Sequence, residues 1–516
     1  MVGRLQCRSH PRHRRRLDHT TPPLTHSTPR NSPATTSTAR VLYVDLDGTL
    51  TPSDTLLESA LLLLRQHPLN LFRLLAWLLL GRAGLKQKIA DAVRPAPDRL
   101  PYHDGLLALL QARRAQGDTL VLASAADARI VESVAQHTGL FDGTLGTAQG
   151  HNLRGAAKRQ AIEADARARG FDHWGYAGNS RDDLPVWAGA HEALAVNTPA
   201  SVLRRLHTQH PQAQVLPGVQ TSVGTWLRAI RIKQWAKNAL LCVPLLAAHS
   251  LDPMAWVQVM LAFVAFGLCA SATYLFNDLM DLPNDRVHRI KRHRPLAAGA
   301  VGIGQAVVLG AAMLVIAFVL AALVSAGFVG MLLLYTALTL SYTLWLKRIA
   351  LVDVLLLSGL YTLRIAAGAL AASVELSNWL LAISIFLFLS LALVKRCAEL
   401  EEATQEDAAL APGRGYHPSD LPSLRAMGMA SGFLAVMVLA LYVDSQNGRA
   451  LYAEPQWLWA AAPLLLFWIM RMWLKTGRRE LHGEDPLQFA LKDGVSWLVL
   501  LAMGAVGLAA TVGVGA

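Results

Sequence analysis

The rhythm of apolar and polar positions changes once along the chain, near residue 200. From residue 41 to about 198, short apolar runs of strand length (ARVLYVDL, DTLVLASA, FDHWGYAG and HEALAVN) alternate with longer stretches of helical periodicity. That alternation predicts a parallel sheet with helices on both faces, a doubly wound α/β domain. A helical insertion from about Thr55 to Gln116 separates the first two strands. Within it, LNLFRLLAWLLLG is too short and interrupted to cross a bilayer. A buried helix of a cap is favoured there over a helix lying in the membrane interface. Residues 199–226 form a polar linker leading to the basic, Trp-bearing RAIRIKQWAKN. Apolar runs then follow at roughly 239–249, 254–276, 302–324, 329–346, 351–372, 379–394, 427–442, 457–473 and 494–515. These predict an all-α polytopic bundle of about nine membrane helices over 227–516, the first run being the shortest.

Composition agrees with a chain divided in this way. Charged residues make up 16% of the 516 positions and hydrophobic ones 53%, with a mean hydropathy of +0.32. Ordinary soluble domains carry about a quarter charged residues, so a wholly soluble or disordered chain is excluded. The net charge of +12 is unevenly placed. Residues 1–40 hold eight Arg and one acid, Asp18, and have no apolar core that would make them a secretory leader. They are expected to be a disordered basic tail. Elsewhere the basic residues fall in alternate loops: Arg228 to Lys237, Arg286 to Arg294, Lys347 and Arg348, Lys395 to Arg414, and Arg471 to Arg479. The positive-inside rule places all of these on the cytoplasmic face with the α/β domain, as in a multi-pass protein of a bacterial inner membrane. Parity then requires the short first run to cross and puts the C-terminus outside. This distribution speaks against a nucleic-acid groove. Four scattered cysteines without a CxxC support neither a disulfide framework nor a zinc site.

Two acidic motifs carry candidate chemistry. The first is DLDGTLT at the end of the first predicted strand, where open α/β sheets build sites. Carboxylates at Asp45 and Asp47 suit Mg²⁺-assisted phosphoryl transfer, one attacking phosphorus and the other protonating the leaving oxygen. A strand ending in Ser124, then Lys158 in GAAK, then the acidic turn GNSRDDLP follow in order. Over residues 41–198 this resembles the haloacid-dehalogenase (HAD) superfamily of phosphatases with a helical cap. The resemblance implies Asp45 as nucleophile, Asp47 as acid/base, Ser124 and Lys158 as phosphate binders, and Asp45, Asn179 and Asp183 at the metal. Asn179 stands where the family usually has a carboxylate, so it offers an oxygen ligand without charge.

The second motif is NDLMDLPNDRVHRIKRHRP at the end of the second span. Asp278, Asp281 and Asp285 are spaced i, i+3, i+7, and Asn277, Asp281 and Asp285 i, i+4, i+8, so either set lies on one side of a helix. Three neighbouring carboxylates repel one another unless a divalent cation neutralises them, and such a cation can also hold phosphate oxygens. The motif and the spans around it resemble the UbiA superfamily of intramembrane prenyltransferases. The resemblance implies Mg²⁺ at Asp278, Asp281 and Asp285 drawing off a diphosphate leaving group, with Lys233, Asn277, Arg286, Lys291 and Arg294 as substrate or phosphate binders.

The second half of the bundle distinguishes two donors. Aromatic prenyltransferases of this superfamily generally carry a second paired-aspartate motif, whereas this chain has SYTLWLKRIALVDVLLLSGLYTLRIAAG. Tyr342, Lys347 and Arg364 there suit an additional phosphate, and the likeness is to the branch containing decaprenyl-phosphate phosphoribosyltransferase. Arg364 is either a headgroup-seeking cation or an intramembrane site residue. The expected enzyme is a membrane transferase acting on a polyprenyl lipid and a diphosphate donor, most simply by phosphoribosyl transfer to a polyprenyl phosphate, with a phosphatase-like domain in front. The alternative is prenyl transfer to an aromatic or other acceptor, with a HAD domain that is regulatory rather than catalytic. A transporter would place its acids at midplane instead of at a span end.

Overall fold

The computed structural model describes residues 41–148, 152–218, 221–403, 415–481 and 485–512; the expected basic tail and Arg414 lie outside them. The soluble part runs β1 (Val41–Val44), α1 (Thr55–Gln66), α2 (Asn70–Leu78), α3 (Gly81–Ala92), α4 (Asp104–Ala115), β2 (Thr119–Asp127), α5 (Ala128–Thr138), β3 (Gly143–Thr147), α6 (Ala156–Ala168), β4 (Trp174–Gly178), α7 (Leu184–Trp187), β5 (Glu192–Val196), α8 (Ala200–Gln209) and β6 (Gln214–Leu216). All pairings are parallel, in the order β3-β2-β1-β4-β5-β6. β1 is buried on both faces. Leu42 and Val44 join a core with α4 and α5, while Val41 and Tyr43 face Ile162 of α6 and Leu206 of α8. This two-sided burial explains the unbroken apolar run of the strand. Strand order reverses between β1 and its neighbours, so a crevice opens at the C-terminal end of β1, beside Asp45.

The remainder is helical: α9 (Val223–Ala229), a 3₁₀ stretch (Ile232–Cys242), α10 (Val243–Ala247), α11 (Pro253–Val287), α12 (Ile303–Val324), α13 (Ala326–Leu344), α14 (Val352–Ala372), α15 (Asn378–Ala403), α16 (Leu421–Asp444), α17 (Gln446–Leu451), α18 (Ala461–Gly477), α19 (Pro486–Lys492) and α20 (Gly494–Val512). Among the described residues eight helices, α11 to α16, α18 and α20, are long and apolar enough to cross a membrane. α11, α14 and α15 are at least half buried, whereas α12 and α20 turn most of their side chains outward.

The expected first span is not a long α-helix. Residues 229–247 instead run antiparallel to α11: the Ile230 carbonyl meets Ser271, and Trp235 lies on Gly267. An added Cβ at Gly267 would come within 2.7 Å of the indole, and one at Gly368 of α14 within 2.1 Å of the Leu241 carbonyl. Glycine at those two positions lets the 3₁₀ backbone lie close against its neighbours. A 3₁₀ run of eleven residues is long for that geometry; here it is held by packing on both sides.

The soluble and helical parts meet through α1. Leu57 and Leu61 of α1 pack in one cluster with Leu282, Ile303 and Trp226, and Pro52 abuts Gly299. Glu58, buried in α1, receives Ser53 and forms an ion pair with Arg286 at the end of α11.

Candidate active sites

Asp45 and Asp47 stand in the tight loop after β1, whose Gly48 takes a positive φ of 78°. The Asn179 amide fills the space where a side chain at position 48 would go. Asp45 is buried and accepts a hydrogen bond from Lys158 Nζ at 2.9 Å. Lys158, 4% exposed, also lies 3.5 Å from Asp183 and 3.0 Å from the Tyr176 hydroxyl. Asp183 is fully engaged: one oxygen accepts from Tyr176 at 2.6 Å, the other from the backbone of Asn179 and Ser180 and from the Ser180 hydroxyl. Through these contacts it ties the loop after β4 to Tyr176 and lies beside Lys158. Ser124 is buried at the end of the neighbouring strand and accepts from the Ala126 N–H. The Thr49 and Thr55 hydroxyls are buried with no hydrogen-bond partner.

Charge is poorly balanced at this site. Burial pushes the Asp45 carboxyl up to about 6, although Lys158 opposes it. Burial and then the neighbouring Asp54 push Asp47 up to about 7, against the Thr55 N–H it accepts at 2.8 Å. Asp183 is held below the usual range despite its burial, by Lys158 and the Tyr176 and Ser180 hydrogen bonds. A group absent from the sequence reading also enters. Lys86 of α3, in the cap, donates to the Ala125 carbonyl at 2.6 Å and to Asn152 at 3.2 Å. Burial lowers its pKa, against the attraction of Asp47 and Asp54.

The second site lies at the end of α11. Asp278 pairs with Arg231 and, at 3.2 Å, with Arg294; Arg294 reaches Asp285 at 2.6 Å; Asp281 takes Lys347 at 3.0 Å. Arg231 adopts a positive φ of 53° between α9 and the 3₁₀ stretch, a strained conformation for a non-glycine residue. From there its guanidinium reaches Asp278 and sits 5.0 Å from the Tyr274 ring, one turn before that aspartate. Deeper in, buried Lys237 binds Asp485 at 2.7 Å, with Lys395 at 3.6 Å and Tyr361 beside them. Lys237 and Lys395 hold Asp485 well below the usual carboxylate range in spite of its burial. Among the described residues no three Asp, Glu, His or Cys side chains converge as a ready-made metal cage.

Two family models match the chain. Residues 239–492 match the UbiA prenyltransferase family, and residues 42–187 match haloacid dehalogenase-like hydrolases. An uncharacterized protein, y4nM, of Sinorhizobium fredii is 36% identical over 461 residues, 89% of this chain and 88% of that one. The chain belongs to the UbiA prenyltransferase family and carries a HAD-like domain in front. A decaprenyl-phosphate phosphoribosyltransferase of Mycobacterium tuberculosis is 33% identical over 301 residues, 57% of this chain and 93% of that protein. A UbiA homologue from Archaeoglobus fulgidus solved with GPP and Mg²⁺ is 17% identical with a TM-score of 0.43, covering 55% of this chain and 99% of that one.

Within the UbiA domain, the structure brings Asp278, Asp281, Asp285, Arg294 and Lys347 together, while Lys291 is half-buried in the turn after α11. Asn277 is half-buried on the same helix. Three expected phosphate binders sit elsewhere. Arg286 turns to Glu58 and to the Arg99 carbonyl of the soluble domain, Lys233 is exposed, and Tyr342 lies near Arg396. Arg364 does not reach for a headgroup: it is 4% exposed, bonded to Tyr335 and Asn238 and stacked near Phe266 and Tyr361. Asp353 serves packing, held by Arg396 and Tyr416. Arg231, Lys237, Lys395 and Asp485 were not anticipated as site residues. Their signal in the sequence is faint, since Lys237 and Asp485 are 248 positions apart.

Proposed function

We propose that the UbiA domain transfers a phosphoribosyl group from phosphoribosyl diphosphate to a polyprenyl phosphate, and that the HAD-like domain then removes the 5-phosphate from the lipid product. The observation that carries the first step is that cations, and no second aspartate pair, accompany the acids: Arg231 and Arg294 on Asp278, Lys347 on Asp281, and elsewhere in the bundle Lys237 and Lys395 on Asp485 and Arg364 over Phe266 of α11. The 33% identity to a phosphoribosyltransferase over nearly all of that protein supports the same choice.

Arg231, Arg294 and Lys347 each bind a carboxylate and can exchange it for phosphate oxygens when the donor enters. The C1–O bond to diphosphate breaks, and an oxygen of the polyprenyl phosphate bonds to C1. Mg²⁺ fits here, because it is usually held by one or two carboxylates together with substrate phosphates rather than by a protein cage. When bound through one or two of Asp278, Asp281 and Asp285 it would supply charge neutralisation of the leaving diphosphate.

In the HAD-like domain, Asp45 attacks the 5-phosphorus and Asp47 protonates the departing ribose oxygen; Asp47 then takes a proton from the water that releases inorganic phosphate. Lys158 and Ser124 hold phosphate oxygens. The oxygens of Asp45 and Asn179 and the under-neutralised charge of the loop suit a Mg²⁺ ion that screens the phosphate, with Asp183 positioning Lys158. Loop charge puts this domain in the cytoplasm and the bundle in the inner membrane. The Thr55 N–H at the start of α1 donates to Asp47 and Glu58, one turn later, binds Arg286 at the end of α11, so one helix touches both the loop of the first site and the end of the helix that carries the second.

The test supplies membranes with labelled phosphoribosyl diphosphate and polyprenyl phosphate or, separately, with labelled prenyl diphosphate. Lipid-linked ribose made from the first pair is the expected result. Label entering an acceptor only from prenyl diphosphate would replace this reading with prenyl transfer.

A further inference from the structure

The helix expected to be buried in the cap is instead its most exposed apolar surface. Asn70 is the only buried residue of α2. Leu69, Phe72, Leu75, Leu78, Leu79 and Leu80 are 52–89% exposed. At its first turn the Asn70 amide donates to the Leu63 carbonyl of α1 at 2.9 Å, and farther along only Leu74 and Trp77 are half-buried. A patch of this kind on a soluble surface marks a contact with something apolar.

The position of α2 identifies that contact. α1 lies across the end of the helical bundle. Near its start, Leu57 touches Gly304 at the beginning of α12, and Leu61 packs in the same cluster. At its far end, Arg65 and Gln66 share a cavity of about 340 Å³ with Pro283 and Arg286 of α11. Both ends of α1 thus stay at the level where α11 and α12 leave the apolar zone, and α2 follows after three residues. Charge points the same way: residues 59–90 contain five Arg or Lys and no acid. Arg73 lies 5.2 Å from the Trp77 ring on α2, pairing a cation with an interfacial aromatic. Apolar bulk with basic flanks and no acid is the composition of a helix that lies in a lipid surface.

We propose that α2 is embedded in the cytoplasmic leaflet of the bilayer that holds the bundle, anchoring the cap of the HAD-like domain to anionic lipid. Because α3 follows directly and carries Lys86 to the Ala125 carbonyl, the anchor also fixes the cap residue that enters the phosphatase-like site.

The test uses the full chain in nanodiscs of phosphatidylcholine and phosphatidylglycerol, with the native cysteines replaced and an environment-sensitive fluorophore on Leu75→Cys. Arg205→Cys on α8, exposed on the opposite part of the domain from the cap in sequence, is the control. Leu75 is exposed, so labelling disturbs no packing. The expected result is blue-shifted emission at position 75, quenched by nitroxide-bearing lipid and protected from iodide, with position 205 showing the reverse. Water-like emission at 75 with free iodide quenching would overturn the proposal. So would a blue shift that lipid nitroxide leaves untouched and that disappears in discs holding one chain, since a second copy would then be covering the helix.

Discussion

The two acidic sites share a chemistry of phosphate and differ in how their carboxylates are neutralised. Beyond β1, Asp45 and Asp183 share one ammonium, Lys158, while Asp47 has only the Thr55 N–H, and burial pushes Asp45 and Asp47 up to about 6 and 7. At the end of α11 each aspartate already has a cation: Arg231 and Arg294 for Asp278, Arg294 for Asp285, Lys347 for Asp281. The first arrangement holds excess negative charge that an added cation relieves. The second holds cations that can exchange their carboxylates for the phosphates of a ligand. A motif of closely spaced aspartates therefore does not reveal whether the protein or the ligand supplies the balancing charge; the surrounding helices decide it.

Separate mutation of the two sites tests that comparison most severely. Asp45→Asn removes a nucleophile, and phosphate release from the lipid product should fall on the order of 10⁴-fold, with ribosyl transfer unaffected and the phosphorylated lipid accumulating. Identical lipid products from wild type and variant would leave the HAD-like domain without a catalytic role. Asp281→Asn should cost on the order of 10²-fold in transfer, the scale of one electrostatic stabiliser; wild-type turnover at saturating Mg²⁺ would remove Asp281 from the reaction. Lys86→Gln deletes one charged contact from the cap, so KM for an anionic phosphatase substrate should rise roughly tenfold with kcat little changed.

The smallest effect is a pair of opposite pH slopes in melting temperature, measured on the metal-free chain. Asp45 and Asp47 bind protons more tightly folded than unfolded. Their contribution is present at acid pH and is lost as pH rises from near 4 through about 6 and 7. Asp485 is shifted the other way, so its contribution is present above the usual carboxylate pKa and is lost as pH falls below it. Asp45→Asn should flatten the neutral slope and Asp485→Asn the acid one. Mg²⁺ should raise the melting temperature more at pH 8 than at pH 5.

Much of this was legible in the sequence because it is local. DLDGT follows a strand, GAAK opens a helix, and three aspartates repeat along one helix, so short spacing suffices to place them. What escaped depends on distance or on competition between partners. Lys86 acts from an inserted cap whose position over the sheet has no sequence signature. Arg286 fits a phosphate-binding pattern, yet a buried Glu58 on another domain takes it. The composition of LNLFRLLAWLLLG suits both a buried helix and one lying in a lipid surface, and its exposure in the folded chain decides between them. The expected first span is legible as apolar but not as 3₁₀, since its close packing depends on Gly267 and Gly368 of neighbouring helices far along the chain.

The ion pair between Lys237 and Asp485 also bears on how the protein is made. Lys237 leaves the ribosome among the first residues of the helical domain, and its carboxylate partner follows 248 positions later, ahead of only the final membrane helix. Throughout the intervening synthesis a cation destined for the interior lacks its carboxylate, although the segment bearing it can already pack on α11 and α14. Insertion of the last hairpin completes that pair. A chain shortened before residue 485 would retain every aspartate of the α11 motif and still leave Lys237 without its carboxylate, so the burial of that cation is completed only by the last part of the chain.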